Sequence, residues 1–170
     1  SSFFLNSTTS KLGKDDSEII FEANNISINL NFKESNLQLK LKSSMVNSLK
    51  EEKNLYVYQP RINLEGKEIS MILNSEKGKI AYDKNTIYLE NNIKINGTAN
   101  TKNIEGIAGP VEIDLDKRNL SSDKINIFLE DYEISFNEVT FNEKEMIFKG
   151  NPIYLIDKNG LKTITSLIKL

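Results

Sequence analysis

Apolar residues recur at every second position through most of the chain. Clear runs occupy residues 37–41, 69–73, 93–95 and 125–129. Because a β-strand points alternate side chains to opposite faces, each run predicts a strand with one buried face. Short groups of turn-forming residues separate the runs, as in Asp-Lys-Asn-Gly at 157–160. The pattern therefore predicts an all-β fold of short strands joined by tight connections.

Two segments leave the type of element open. Residues 45–55 fit the spacing of an amphipathic helix, and residues 161–170 fit helix and strand about equally well. Neither alternative changes the fold class, because the rest of the chain alternates with period two.

A longer unit recurs along the chain. It consists of an apolar-x-apolar triplet, four polar residues and a second apolar-x-apolar triplet, and its copies begin at Leu30, Ile80 and Val139. A weaker copy begins at Ile113. The uneven spacing of the copies argues against a solenoid with one fixed period. The unit predicts stacked β-hairpins with connections of variable length.

Both strands of each hairpin present their apolar residues to a common face, so stacked hairpins build a continuous apolar wall. Closing that wall gives a jellyroll, a flattened barrel or a folded two-sheet trough, and a trough has an elongated apolar interior. Ordinary core packing is the alternative to ligand contact for each inward residue. The predicted inward residues are Leu30, Phe32, Leu37, Leu39, Ile80, Tyr82, Ile87, Leu89, Ile113, Leu115, Leu120, Ile127, Leu129, Val139, Phe141, Met146 and Phe148.

Length and charge narrow the classes of function. The 170 residues suit a single domain that spans positions 1–170. With 22 Lys and Arg against 24 Asp and Glu, the net charge is -2, so no strong field favours nucleic acid, and none is predicted as a partner. No stretch approaches the roughly 20 apolar residues of a membrane-spanning helix.

The chain contains no His, Cys or Trp. Catalytic triads with His, Cys nucleophiles and imidazole or thiolate metal sites are thereby excluded. Asp and Glu are scattered too evenly to indicate a pair of catalytic carboxylates. Asp114 and Asp116 are similar to the start of a calcium loop, but Arg118 occupies the third ligand position. We predict no enzymatic activity, no catalytic residue, no metal and no cofactor.

Three segments carry a resemblance to a known family. They are YVYQPRINLEGKEISMILNSEKGKIAYDKNTIYLENNIKI at 56–95, GPVEIDLDKRNLSSDKINI at 109–127 and EVTFNEKEMIFKGNPIYL at 138–155. The chain resembles the periplasmic lipopolysaccharide-transport proteins with the OstA-like β-jellyroll, the family of LptC and LptA. Pro60, followed by Gly66 and the strand at Ile69, is more similar to the opening of LptC.

The resemblance implies a twisted β-jellyroll of stacked antiparallel hairpins that transports lipopolysaccharide without covalent chemistry. The acyl chains would lie in the apolar interior. The implied location is the periplasm, with the full-length protein tethered to the inner membrane. The implied partners are lipopolysaccharide, other jellyroll proteins of the transport bridge and an inner-membrane ABC transporter complex.

Unpaired strands at the two ends of such a roll would join a neighbouring jellyroll by β-augmentation. The candidate edge strands are residues 18–22, with Ile19 and Phe21, and either residues 153–156, with Ile153 and Leu155, or residues 164–168. Edges that are simply capped by loops are the alternative.

Two other functions stay open. One is a soluble bridge protein of the LptA type, and the other is a structural or adhesin-like β-domain with a fully packed core. The transport functions require an interior that admits acyl chains, whereas the structural domain requires a core without space.

Overall fold

The computed structural model describes residues 4–11, 19–32, 37–90 and 92–169, and its side chains over 22–29, 37–90 and 92–169. Every regular element in this part of the chain is a β-strand. The fifteen strands are β1 (Phe4–Lys11), β2 (Ile19–Phe32), β3 (Leu37–Leu49), β4 (Asn54–Tyr58), β5 (Arg61–Glu65), β6 (Ile69–Asn74), β7 (Lys77–Ala81), β8 (Thr86–Leu89), β9 (Ile93–Ala99), β10 (Lys102–Ala108), β11 (Val111–Asp114), β12 (Asn119–Phe128), β13 (Tyr132–Asn142), β14 (Ile147–Asp157) and β15 (Lys162–Lys169).

Neither of the two segments left open forms a helix: the helical spacing of residues 45–55 was misleading, and the strand alternative holds for the C-terminal segment. Residues 45–49 continue β3, residues 54–55 begin β4, and the C-terminal segment forms β15. Their backbone groups bond to neighbouring strands, as in the pairing of Val46 with Val57 and of Thr163 with Leu155. A partner strand stabilises these segments more than local helical spacing does, because it satisfies their backbone donors and acceptors.

All strand pairs are antiparallel and belong to one connected sheet. Two long strands, β3 and β12, each hold two partners in succession along one side. β3 pairs with β5 through residues 38–42 and with β4 through residues 45–48. β12 pairs with β11 through residues 119–122 and with β10 through residues 125–128.

Two routes of paired strands therefore connect β3 to β12. We call β5-β6-β9-β10 the first wall and β4-β7-β8-β11 the second wall. Together with β3 and β12 they close a ring of hydrogen-bonded strands. Beyond β3 the sheet continues through β2 to β1, and beyond β12 it continues through β13 and β14 to β15. The last three strands form the C-terminal extension. This all-β, antiparallel arrangement confirms the predicted β-jellyroll.

The repeated sequence unit forms hairpins. Leu30 pairs with Leu39, Ile80 with Ile87, Ile113 with Leu120, and Phe141 with Phe148. In three of the hairpins the structure describes the connection, a four-residue turn at 82–85, 115–118 or 143–146. The last residue of each turn has a positive φ, which lets the chain enter the second strand.

One of the predicted edges of the sheet is interior in the structure. Within the described residues β1 pairs only with β2, and β15 pairs only with β14. Ile19 and Phe21 lie in β2 and pair with β3, whereas β1 pairs with residues 22–29 of β2 and does not reach them. Ile153 and Leu155 lie in β14, which bonds to both β13 and β15. Residues 153–156 are therefore interior, because β15 follows β14, and the alternative edge at 164–168 lies on an edge strand.

The alternating pattern places the core inside the ring. In β3 the apolar positions Leu37, Leu39 and Leu41 are buried, whereas the polar residues between them are exposed. The core then runs as one cluster from Ala23 to Ile153.

Candidate functional site

A cavity of about 270 Å³ lies between the first wall and the C-terminal extension. The first wall contributes residues of β5, β6, β9 and β10, the opposite side is built from β12, β13, β14 and β15, and β3 and β11 add Leu37 and Val111. Almost all of the lining side chains are aliphatic or aromatic. They include Leu64, Ile69, Met71, Leu73, Ile95, Ala99, Ile104, Val111, Leu120, Ile125, Ile127, Leu129, Ile134, Phe136, Phe141, Phe148 and Ile168.

Three aromatic rings form one surface of the cavity. The Phe148 ring lies 5.3 Å from that of Phe136 and 4.5 Å from that of Phe141, centroid to centroid. Phe136 and Phe141 are buried, while Phe148 is half-buried and packs on the core. Phe136 and Phe141 are an odd number of positions apart on β13, so the alternation shifts by one residue between them, in the stretch where Glu138 has a positive φ of 46°.

The rim of the cavity is polar where the turn between β9 and β10 meets the start of β13. Asn100, Lys102 and Tyr132 line the cavity there. Asn100 and Thr101 both have positive φ values, of 48° and 68°, and Ala99 pairs directly with Lys102. Two consecutive residues of this kind make the tight hairpin turn that matches strand twist, so the backbone of Lys102 is fixed at the start of β10.

A second space of about 360 Å³ adjoins the cavity. We call it the vestibule. It shares Leu37, Ile69, Ala99 and Asn100 with the cavity. Its remaining lining residues are Gly66, Lys67, Glu68, Lys144 and Met146.

A salt bridge near the rim involves neighbouring turns. Lys158 Nζ lies 2.9 Å from Asp131 Oδ1, and both side chains are exposed. The hydrogen bond and charge of Lys158, with a smaller contribution from Lys102, lower the pKa of Asp131 below its ordinary value. Asp131 is therefore ionised at neutral pH and engaged by Lys158.

A second ion pair joins two of the hairpin turns. The Arg118 guanidinium contacts the Glu143 carboxylate, and the side chains are 18% and 6% exposed. The Glu143 backbone N–H donates to the Arg118 carbonyl at 2.9 Å. The pair lines a void of about 30 Å³ that is also bordered by Leu37 and Phe141 of the cavity. It links two of the repeated hairpins.

Apart from Tyr82, the structure separates the predicted inward residues into three groups. Those that line the cavity are Leu37, Leu120, Ile127, Leu129, Phe141 and Phe148. Those that are buried in the core away from the cavity are Leu39, Ile80, Ile87, Leu89, Ile113 and Val139, and Leu115 and Met146 pack partly buried against that core. The side chains of Leu30 and Phe32, like those of Ile19 and Phe21, lie outside the described part.

Tyr82 was wrongly predicted to face inward. Its side chain is 48% exposed, because the turn between β7 and β8 begins at Tyr82 rather than at Asp83. The last strand pair is Ala81 with Thr86, and Tyr82 therefore leaves the alternating pattern.

Several lining residues belong to strands outside the repeated unit. Met71 and Ile95 were recognised as members of apolar runs but were not assigned to the interior. The alternation of Ile134 and Phe136 in β13 offered the same signal. Asn100 and Lys102 had no signal in the sequence, since their position depends on the contact between the first wall and the C-terminal extension.

Among the residues with described side chains, no group of three or more Asp and Glu is placed to hold a metal ion. None of the described segments forms a helix long and apolar enough to cross a membrane.

Comparison with known proteins identifies the family. The family model described as lipopolysaccharide-assembly, LptC-related, matches residues 2–151. A search of curated proteins gave no match. LptC-type proteins are noncatalytic components of the lipopolysaccharide transport bridge and are associated with the periplasm and the inner membrane. Because the match covers most of the chain and the fold is the β-jellyroll that the resemblance implied, the chain belongs to the LptC-related lipopolysaccharide-assembly family.

Proposed function

We propose that this protein carries lipopolysaccharide by holding its acyl chains in the apolar cavity, and that it passes the lipid to a neighbouring jellyroll through a strand edge. The cavity between the first wall and the C-terminal extension is the observation that carries the proposal. Its aliphatic and aromatic lining matches an acyl chain, and its polar rim offers a place for a headgroup.

The size of the cavity limits how much lipid it takes without rearrangement. At about 270 Å³ it is slightly smaller than most small-ligand pockets, which span about 300–1,000 Å³. Burial of each CH₂ group contributes about 0.8 kcal/mol, so part of one acyl chain binds reversibly. Weak binding of this kind suits a carrier, because the lipid must leave again.

The cavity occupies only one side of the interior. The predicted lipid-contacting residues on the second wall, such as Ile80, Ile87 and Leu89, are almost fully buried in packed core. We therefore assign acyl-chain contact to Leu37, Leu120 and the other predicted residues that line the cavity.

The edge strand β15 supports the transfer step. It pairs only with β14 among the described strands, and Ile164 and Leu167 on it are 66% and 46% exposed. Free backbone groups beside exposed apolar side chains are the features that β-augmentation uses. We propose β15 as one bridging edge and β1 as the other. We also propose that an inner-membrane ABC transporter complex is a partner of this protein. The full-length protein is proposed to be tethered to the inner membrane.

Photo-crosslinking tests the lipid site. A benzophenone amino acid placed at Phe148 or Ile134 is expected to form adducts with lipopolysaccharide. The same probe at Tyr82 or Phe128, which are 48% and 42% exposed, serves as the control. Absence of adducts at the two interior positions in the folded protein would contradict the proposal and favour a packed structural domain.

The edge is tested separately with a probe at Leu167. We expect adducts to a purified jellyroll protein of the transport bridge at Leu167 and none at Tyr82. Equal adducts at both positions would argue against pairing through β15.

A further inference from the structure

A groove of about 710 Å³ lies on the outer face of the second wall and continues onto β12 and β13. We call it the outer groove. Alternation separates it from the core, since in β11 Val111 and Ile113 are buried whereas Glu112 between them is exposed. A row of directly paired residues crosses six neighbouring strands on this face. From β4 to β13 the row consists of Tyr56, Lys79, Tyr88, Glu112, Ser121 and Thr140.

The outer groove carries an excess of negative charge. Its lining includes the exposed carboxylates of Glu90, Glu112, Asp123 and Glu138 but a single lysine. Glu138 accepts a hydrogen bond from Asn151 Nδ2 at 3.2 Å. The other three form no salt bridge with any side chain that the structure describes. Such a lining repels phosphate and carboxylate groups and attracts cations.

The lysine of the groove shows where a cation rests in it. Lys79 Nζ lies 4.9 Å from the centroid of the Tyr88 ring, within the range of cation–π attraction. Tyr56 and Tyr88 are the direct partners of Lys79 on the two neighbouring strands. In the described part of the chain Lys79 forms no salt bridge. The groove therefore combines an aromatic contact for one cation with carboxylates that can engage several more.

The length of the groove favours an extended peptide over a small ion. Six strands at a spacing of about 4.8 Å span about 24 Å. At about 3.3 Å per residue, about seven extended residues cover that distance. Every second side chain of such a peptide points to the same face, so several cations of one segment can reach the groove together.

We propose that the outer groove binds an extended basic segment of a partner protein, with Glu90, Glu112 and Asp123 contacting its Lys or Arg side chains. One cation of the segment replaces Lys79 on the Tyr88 ring. Because the chain carries a net charge of -2, a second copy offers little basic surface, and a different protein is the favoured occupant. The site is separate from the apolar cavity, so its test does not depend on lipid binding.

A labelled peptide serves as the probe. It has seven residues, with lysine at every odd position and serine between, and its binding is measured by fluorescence polarisation. The matched peptide carries glutamate in place of lysine. We expect the lysine peptide to bind, the glutamate peptide not to bind, and binding to weaken as salt is raised.

The test variant is Glu90→Gln/Glu112→Gln/Asp123→Asn. The control is Asp83→Asn/Glu105→Gln/Glu130→Gln, which removes the same charge from exposed positions that do not line the groove. We expect the lysine peptide to bind about tenfold more weakly to the test variant and with little change to the control, because each exposed ion pair contributes modestly.

A second variant tests the place of the cation on the aromatic ring. Lys79→Gln removes the cation that already occupies the Tyr88 ring, and Lys84→Gln removes one from the exposed turn between β7 and β8. We expect the lysine peptide to bind about threefold more tightly to Lys79→Gln and with little change to Lys84→Gln. An equal gain in both variants would overturn the ring contact.

Three other outcomes would overturn the proposal. Equal affinity of the two triple variants for the lysine peptide would exclude the outer groove as the site. Equal binding of the lysine and glutamate peptides would exclude recognition of charge. Self-association of the unaltered protein in sedimentation velocity, lost only in the test variant, would place a second copy in the groove instead of a different protein.

Discussion

The ion pair between Arg118 and Glu143 gives a quantitative test of how the hairpins are held together. Breaking a buried ion pair costs about 3–5 kcal/mol, because one charge is left without its partner. Arg118 keeps 18% of its side chain exposed, and water compensates part of that cost. We therefore expect Glu143→Gln to lower the free energy of unfolding by about 2 kcal/mol.

Replacing Arg118 instead of Glu143 should lower the free energy of unfolding further. Arg118→Met leaves the Glu143 carboxylate, which is only 6% exposed, without the guanidinium, and we expect a loss of about 3 kcal/mol. Replacing both residues, as Arg118→Met/Glu143→Leu, removes both buried charges and should stay within about 1 kcal/mol of the unaltered protein. The two losses would then be far from additive.

Urea unfolding followed by circular dichroism measures all three variants. A loss of 2 kcal/mol corresponds to a midpoint about 1 M lower in urea, or a melting temperature about 4–8 °C lower in a chain of this length. If both single variants unfold within 0.5 kcal/mol of the unaltered protein, on the order of an ordinary surface substitution, the ion pair does not stabilise the contact between the hairpins.

Two further predictions concern the first wall and the rim. Gly97→Ala should destabilise the protein by about 1–3 kcal/mol, because the added Cβ would lie 2.0 Å from the Ser70 carbonyl oxygen. Gly109→Ala is the control and should change stability little, since no atom lies nearer than 3.8 Å to the added Cβ. Thermal melts that show equal effects of the two substitutions would contradict this. The lowered pKa of Asp131 means that its interaction with Lys158 exists above the ordinary carboxyl pKa and is lost as pH falls through the lowered value. An NMR titration should find this pKa below its ordinary value and higher in Lys158→Gln, and an unchanged pKa in that variant would exclude Lys158 as the cause.

Much of the fold could be predicted because the signal is local. Alternation at Ile69, Met71 and Leu73 identified β6, and the repeated unit identified hairpins that pair at Ile80 and Ile113. These features depend on residues close in sequence, where strand geometry and turn chemistry act directly.

The edges and the cavity depend on contacts between distant segments. The pattern around Ile153 is that of a strand, but only the later pairing with β15 makes that strand interior. Tyr82 fits the apolar alternation, yet the turn begins one residue earlier than the polar stretch suggests. Nothing local marks Lys102 as part of a rim, since the opposite side is supplied by the C-terminal extension.

The central claim, that an acyl chain lies in the cavity, is tested most directly by methyl NMR with a lipid that carries a nitroxide on its acyl chain. The account predicts strong broadening of the methyl signals of Ile69, Ile95 and Ile134, which line the cavity. The signals of Ile107 and Ile164, which are 52% and 66% exposed, should remain sharp. Broadening of the exposed isoleucines alone, with sharp signals from the cavity, would contradict the account.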